Sequence, residues 1–332
     1  VVMALLAVAT AGVAAGDRQR FEEVVWTFLR WTSWAVAALV AAGFALGPLY
    51  VNRSPANADR FTWIGAHPAA AGFLLSIGFL IVVSSPSASL GIGKRPQVAM
   101  VLAFAVALYL NQARTALLTV GLGVLLVARH AAKRRPDITV LATLALTIGG
   151  VLSAGFVGQY FLRGGDADTI LTLNGRTDLW QIAYTELDSF GKWMLGLGYG
   201  AGRVIFVDDY KFATSAHNSL LSILVDAGLV GAVLVVIGTL YVVGSSLRAA
   251  NAQRYSYSLP MATLMLATLV TASTSDRLVR PGTAMVLLYF AAAVVAAGRL
   301  PAEDDRRERS PEADDPSLAP RRPDDAGTLF GT

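Results

Sequence analysis

Thr214–Val236 reads TSAHNSLLSILVDAGLVGAVLVV, and a short polar lead of Ser215, His217 and Asn218 opens there onto an apolar run continuing to about residue 243. A helix needs about 20 such residues to cross a hydrocarbon core roughly 30 Å thick. The stretch therefore predicts a membrane span with one of the chain's three histidines at its mouth.

Outward from it, apolar runs recur at about 1–15, 31–50, 68–84, 97–111, 115–129, 137–159, 259–275 and 282–299, so that with 217–243 there are nine candidate helices. Of the 332 residues 55% are hydrophobic, a proportion that a water-soluble domain could not keep off its surface. The expected fold class is all-α, a polytopic integral membrane protein. The first run, VVMALLAVATAGVAAG, lacks a basic flank and reads as the remainder of a helix whose start is missing; a signal peptide is the other reading.

Charge sets the orientation. With the tail after Leu300 cytoplasmic, Arg18, Arg20, Arg30, Lys94, Arg95, Arg129, Lys133, Arg134, Arg135, Arg248 and Arg254 all fall inside. The outer short loops keep only Arg53, Arg60, Arg114, Arg277 and Arg280. That asymmetry follows the positive-inside rule and accounts for the modest basic excess without nucleic acid. Four regions follow: transmembrane helices over 1–159, one long external (periplasmic) loop over 160–216, transmembrane helices over 217–299, and a tail over 300–332 too poor in large apolar residues to order itself. Cysteine is absent, so neither a disulfide framework nor a thiolate metal site is available.

The chemistry-bearing residues gather on the outer side. In LYLNQARTALLTVGLGVLLV, Arg114 stands between two apolar runs, just before a helix whose first amides and dipole point outward. It is either a snorkelling interfacial arginine or the holder of an anion. In the long loop, LNGRTDLWQIAYTEL predicts a helix capped by Asn174 and opened by Arg176. Its apolar side, Leu173, Leu179, Trp180, Ala183 and Leu187, is expected to lie in the membrane interface. Next, WMLGLGYGAGR alternates Gly196, Gly198, Gly200 and Gly202 before Arg203; such a segment lets amides approach a phosphate, or is a tight turn at the membrane surface. It has neither dinucleotide nor P-loop spacing.

His217 is the side chain best suited to take a proton near neutral pH; capping the helix is its plainer reading. No metal site is expected: the other histidines are His67 and His130, without metalloprotease spacing, and Asp208–Asp209 reads as a solvated acidic pair. Arg114, Arg176 and Arg203 with His217 would make an anion clamp beside a base, arginine suiting diphosphate by its planar, permanently charged fork.

The segments NQARTALL, NGRTDLWQIA, GLGYGAGR and AHNSLLSILVDAGLVG, in this order, together resemble the O-antigen ligase and polymerase family of bacterial envelope enzymes. RFTWIGAHPAAAGFLL, Arg60–Leu75, resembles an earlier segment of that family, although Ala69 stands where an asparagine is expected after His67 and Pro68. The resemblance implies a GT-C-like helical bundle, metal-independent and without cofactor, in the bacterial cytoplasmic (inner) membrane with its active site outward. It implies inverting transfer of a glycan from an undecaprenyl diphosphate carrier to an acceptor hydroxyl, in assembly of surface polysaccharide such as lipopolysaccharide. It further implies that Arg114 and Arg176 hold the diphosphate and that His217 is the base; Arg203 is expected beside the arginines, with Asn218, Arg60 and His67 in support. Ligase and polymerase share this chemistry and differ in acceptor. A transporter of lipid-linked glycans is the competing class, but it would place charges at mid-depth in repeated halves rather than in one loop.

Overall fold

The computed structural model describes residues 18–46, 61–62, 68–133, 176–202, 204–205, 218–251 and 257–273. The expected spans at 1–15, 137–159 and 282–299, the first part of the long loop and the tail lie outside the described residues. Among those described, the chain is all helical. The elements are α1 (Arg18–Leu46), α2 (Pro68–Ser84), α3 (Lys94–Asn111), α4 (Arg114–Ala132), α5 (Arg176–Glu186), α6 (Phe190–Leu195), α7 (Ser219–Asn251) and α8 (Ser258–Ala272). Among the described residues, three helical stretches are long and apolar enough to cross a membrane: Glu22–Leu46, Arg114–Ala132 and Ser219–Ser245. The predicted run at 31–50 begins earlier than expected, because the charged turns from Arg18 to Arg30 continue the same helix beyond its apolar part.

α2 is the hub, packing on α1, α3, α4 and α8. It is apolar on every side, as a helix surrounded by others must be, and it admits neighbours through small residues. A Cβ on Gly72 would come 2.6 Å from Ala113 Cβ, and one on Gly78 2.8 Å from Val36 Cγ1. Ser76 Oγ shares its proton between Gly72 O of the same helix at 2.8 Å and Ala116 O of α4 at 3.2 Å, which keeps a buried hydroxyl satisfied.

These contacts set helix directions. Gln97 Nε2 donates to the Val82 and Ser85 carbonyls at the end of α2, while Asn111 donates to Pro68 at its start, so α3 runs antiparallel to α2. α4 starts beside Gly72, passes Leu80 at Gly123 and runs parallel to it. α1 rises from Arg30, bonded to Ser89 O at 3.2 Å, past Gly78 to Gly43 beside Phe61. α8 begins near Ser84 through Thr263, and the short link from Asn251 makes α7 end where α8 starts. One end of the bundle thus collects Arg30, Lys94, Arg95, Arg129, Lys133 and Arg248, whereas Asn111 and Arg114 stand at the other.

Candidate functional site

The α3–α4 junction is a helix break only two residues long. α3 stops at Asn111, Gln112 turns left-handed (φ 54°, ψ 28°), Ala113 is extended, and α4 begins at Arg114. Gln112 is the one non-glycine residue of positive φ among the described residues, and Asn111 holds the break together. Its buried Nδ2 donates to Phe61 O at 2.7 Å and to Pro68 O at 2.9 Å, and Phe61 N returns a bond to Leu110 O at 2.9 Å. These ties bring to the break the described neighbours in sequence of Arg60 and His67, which themselves lie outside the described residues. Sequence reasoning missed Asn111. The available signal was an amide at the last turn of an apolar run, where its donors have no water to go to.

Arg114 sits at the first position of α4 with no acidic residue in that turn, and Ala113 before it offers no side-chain cap. Two positive features therefore coincide: a guanidinium and the positive end of a helix dipole. Arg114 Nε is buried and has no hydrogen-bond partner among the described residues. Arg114 as a whole is half-buried, so its Nε is enclosed while both readings, a head reaching water and the holder of an anion, stay open.

The glycine segment has a different use from the one the sequence predicts. α7 is broken at Gly228 (φ 66°, ψ −171°), which interrupts the helical bonding of the carbonyls before it. Leu197 N donates to Val225 O at 2.7 Å and Gly198 N to Asp226 O at 3.1 Å, so the segment after α6 supplies donors where the helix is broken. Gly202 N adds a bond to Asp226 Oδ1 at 2.9 Å. The Leu197, Gly198 and Gly202 amides are thus committed to α7, which corrects the phosphate-cradle reading for them. Gly196 (φ 77°) permits the approach: a Cβ there would stand 2.6 Å from Asp226 O and Ala227 N.

The apolar side of α5 is corrected as well. Leu179 and Ala183 pack on Leu221 and Val225 of α7, joined by Trp180, Ile182, Leu197 and Ala201, and Leu187 is also buried. That face lies inside the protein rather than in the membrane interface, because the broken α7 provides an apolar partner for it. Asn174 and Leu173 lie outside the described residues, and of Arg176 only the backbone at the start of α5 is described.

Asn218 caps α7. Its Oδ1 accepts from Leu220 N at 3.0 Å and Leu221 N at 3.1 Å, and its carbonyl accepts from Ser222 Oγ at 3.0 Å. The capping task assigned to His217 in its plainer reading is done by the next residue; His217 and Arg203 lie outside the described residues. Asn218→Ala is expected to lower stability by about 1 kcal/mol, the usual loss for an N-cap. Thermal unfolding of the purified chain in detergent would show it, and an unchanged midpoint would deny the cap its role.

Residues 98–236, from α3 through the break in α7, match the family model described as O-antigen ligase. Over this stretch the chain is similar to the O-antigen ligase family. The matched region contains Arg114, Arg176, Arg203, His217 and Asn218, whereas Arg60 and His67 precede it. No curated protein matches the chain. The O-antigen ligase match supports a ligase- or polymerase-type, glycosyltransferase-like function on lipid-linked glycans, and with the apolar helices it indicates an integral membrane protein. Among the described residues no cluster of His, Asp or Glu could hold a metal ion.

Proposed function

We propose that the protein is a polytopic, GT-C-like glycosyltransferase of the cytoplasmic membrane with its site on the outer face. It moves a glycan from undecaprenyl diphosphate to an acceptor hydroxyl with inversion and without a metal ion. The observation that carries this reading is Arg114: a buried Nε without a partner among the described residues, at a helix start whose N-cap residue gives no side-chain cap, within the matched O-antigen ligase region and away from the basic end of the bundle.

In the proposed reaction the acceptor oxygen attacks the anomeric carbon from the face opposite the diphosphate. The carbon–oxygen bond to the carrier breaks, and the electron pair leaves with the diphosphate. Arg114, Arg176 and Arg203 stabilise the charge growing on that leaving group, which fixed cations in a low-dielectric site do better than water. His217 accepts the hydroxyl proton, with Asn218 setting the chain next to it; Arg60 and His67 are assigned a supporting place at the Asn111 break. A lipid-core acceptor makes the enzyme a ligase, and a second carrier-linked unit makes it a polymerase.

The test is turnover in proteoliposomes supplied with carrier-linked glycan, either acceptor and EDTA, following release of free carrier diphosphate. Release that survives EDTA and falls by about 10²-fold or more in His217→Ala, with a marked loss in Arg176→Lys, is the expected outcome. Passage of the lipid-linked glycan between leaflets with no carrier released would replace the enzyme by a transporter.

A further inference from the structure

α6 and the residues after it present an unusual surface for a loop. Phe190 is 81% exposed, Leu195 71% and Tyr199 88%, and Trp193 is partly exposed with its ring stacked on Tyr184 at 6.1 Å. Their backbone is nevertheless held firmly. Ser189 caps α6, and Gly196 N closes the helix on Lys192 O at 2.8 Å. Leu197 and Gly198 are bonded to the broken α7.

We propose that the segment Phe190–Tyr199 is a membrane-interface anchor, seating its aromatic and apolar side chains at the boundary between lipid headgroups and acyl chains. The lipid surface is the occupant because the patch continues the exposed apolar side of a helix long and apolar enough to span a membrane. Met194 O and Leu195 N abut Gly228, and α7 immediately beyond that point exposes Leu229, Val230, Val233 and Leu234 on a stretch long and apolar enough to cross a membrane. α6 therefore lies at the depth where the exposed apolar face of α7 begins. Phe, Trp, Tyr and Leu beside Lys192 are the residue types that settle at that depth, ring in the interface and charge toward water. Lys192 is paired with Asp188 at 2.9 Å. The neighbouring α5 buries its apolar face and, apart from Tyr184 under Trp193, exposes Gln181, Thr185 and Glu186. The anchor would hold the chain leading to Arg203 at headgroup depth, where a lipid-borne diphosphate travels. That consequence rests on the proposed reaction, whereas the anchor does not.

Because the chain has no cysteine, single probes can be placed without removing any. Full-length Phe190→Cys, Leu195→Cys, Tyr199→Cys and, as a water-side reference, Thr185→Cys would each be labelled with an environment-sensitive nitrobenzoxadiazole dye. Each would be reconstituted in phosphatidylethanolamine–phosphatidylglycerol vesicles, with and without lipids carrying a nitroxide at the top of the acyl chain. Blue-shifted emission and quenching about twofold stronger than at Thr185 are expected at the three anchor positions, from immersion at the interface. Solvent-like emission at all three, or quenching no stronger than at Thr185, would overturn the anchor. Blue-shifted emission without lipid quenching would overturn it too, since protein would then cover the patch. Lipid contact with no turnover in the vesicles would leave the anchor standing and remove the proposed reaction.

Discussion

Gly228→Ala is expected to destabilise the α5–α6–α7 unit strongly. Two penalties act together. The backbone at φ 66° and ψ −171° is open essentially to glycine alone and costs other residues about 1–3 kcal/mol. The new methyl would also overlap the Met194 carbonyl, backbone that cannot rotate aside, and overpacking of that kind costs about another 1–3 kcal/mol. The combined loss of roughly 2–6 kcal/mol is large beside a typical domain stability of about 5–15 kcal/mol. Gly244→Ala is the internal control: on the same helix, with nothing within 4 Å of a built Cβ, it is expected to leave stability unchanged or raise it by up to about 1 kcal/mol. Thermal unfolding and monodispersity in detergent compare the two. Equal midpoints would mean that the break in α7 does not dock α6.

Arg114→Ala is expected to separate function from stability in the opposite sense. If the guanidinium holds the departing diphosphate, its loss should lower kcat by about 10²–10³-fold, or about 2.7–4 kcal/mol, by analogy with the loss of a single oxyanion-hole donor. Stability should be kept or raised, because a buried Nε without a partner among the described residues is a burden on the folded chain and not a bond to be lost. Arg114→Lys keeps the charge and loses the two-pronged geometry, so an intermediate rate is expected. Carrier release in proteoliposomes and thermal midpoints on the same preparations would decide. A destabilised variant that still turns over at the wild-type rate would make Arg114 a structural residue and take away the observation on which the proposed function stands.

Much of the helical framework was legible because it depends on local composition. The apolar run at 68–84 predicts α2 at Pro68–Ser84, and runs at 97–111, 115–129 and 259–275 fall on α3, α4 and α8 with ends displaced by a turn or less. Hydropathy drops where a helix leaves its apolar surroundings, so such boundaries can be read. The early start of α1 could not be read in this way, since the helix continues through Glu22, Glu23 and Arg30 after the apolar pattern has ended. Gly228 was illegible for the converse reason: composition stays apolar on both sides of it, and hydropathy carries no record of a dihedral angle.

The candidate site divides along the same line. Arg114 at a helix start and Asn218 at the mouth of α7 follow from residue type and position, because capping and dipole effects are local. The polar network around Asn111 links residues 43 and 50 positions apart, and nothing in the local pattern announces Phe61 or Pro68 as its partners. The glycines of GLGYGAG presented the sharpest ambiguity. Their chirality-free backbone permits close approach to something, but the sequence does not say to what; the tertiary structure gives the carbonyls freed at Gly228 and the Asp226 carboxylate.

By itself, the amino-acid order determined that this chain is built of apolar helices with basic residues concentrated at alternate connections, and that residues of the O-antigen ligase type stand between them. Those properties are sums over neighbouring residues. Only the tertiary structure decided which amides were already taken, that the apolar face of α5 is buried, and that α6 keeps an exposed apolar surface. Each of these depends on which group meets which across the fold, and a buried amide or apolar face is committed by its partner rather than by its own neighbours in sequence.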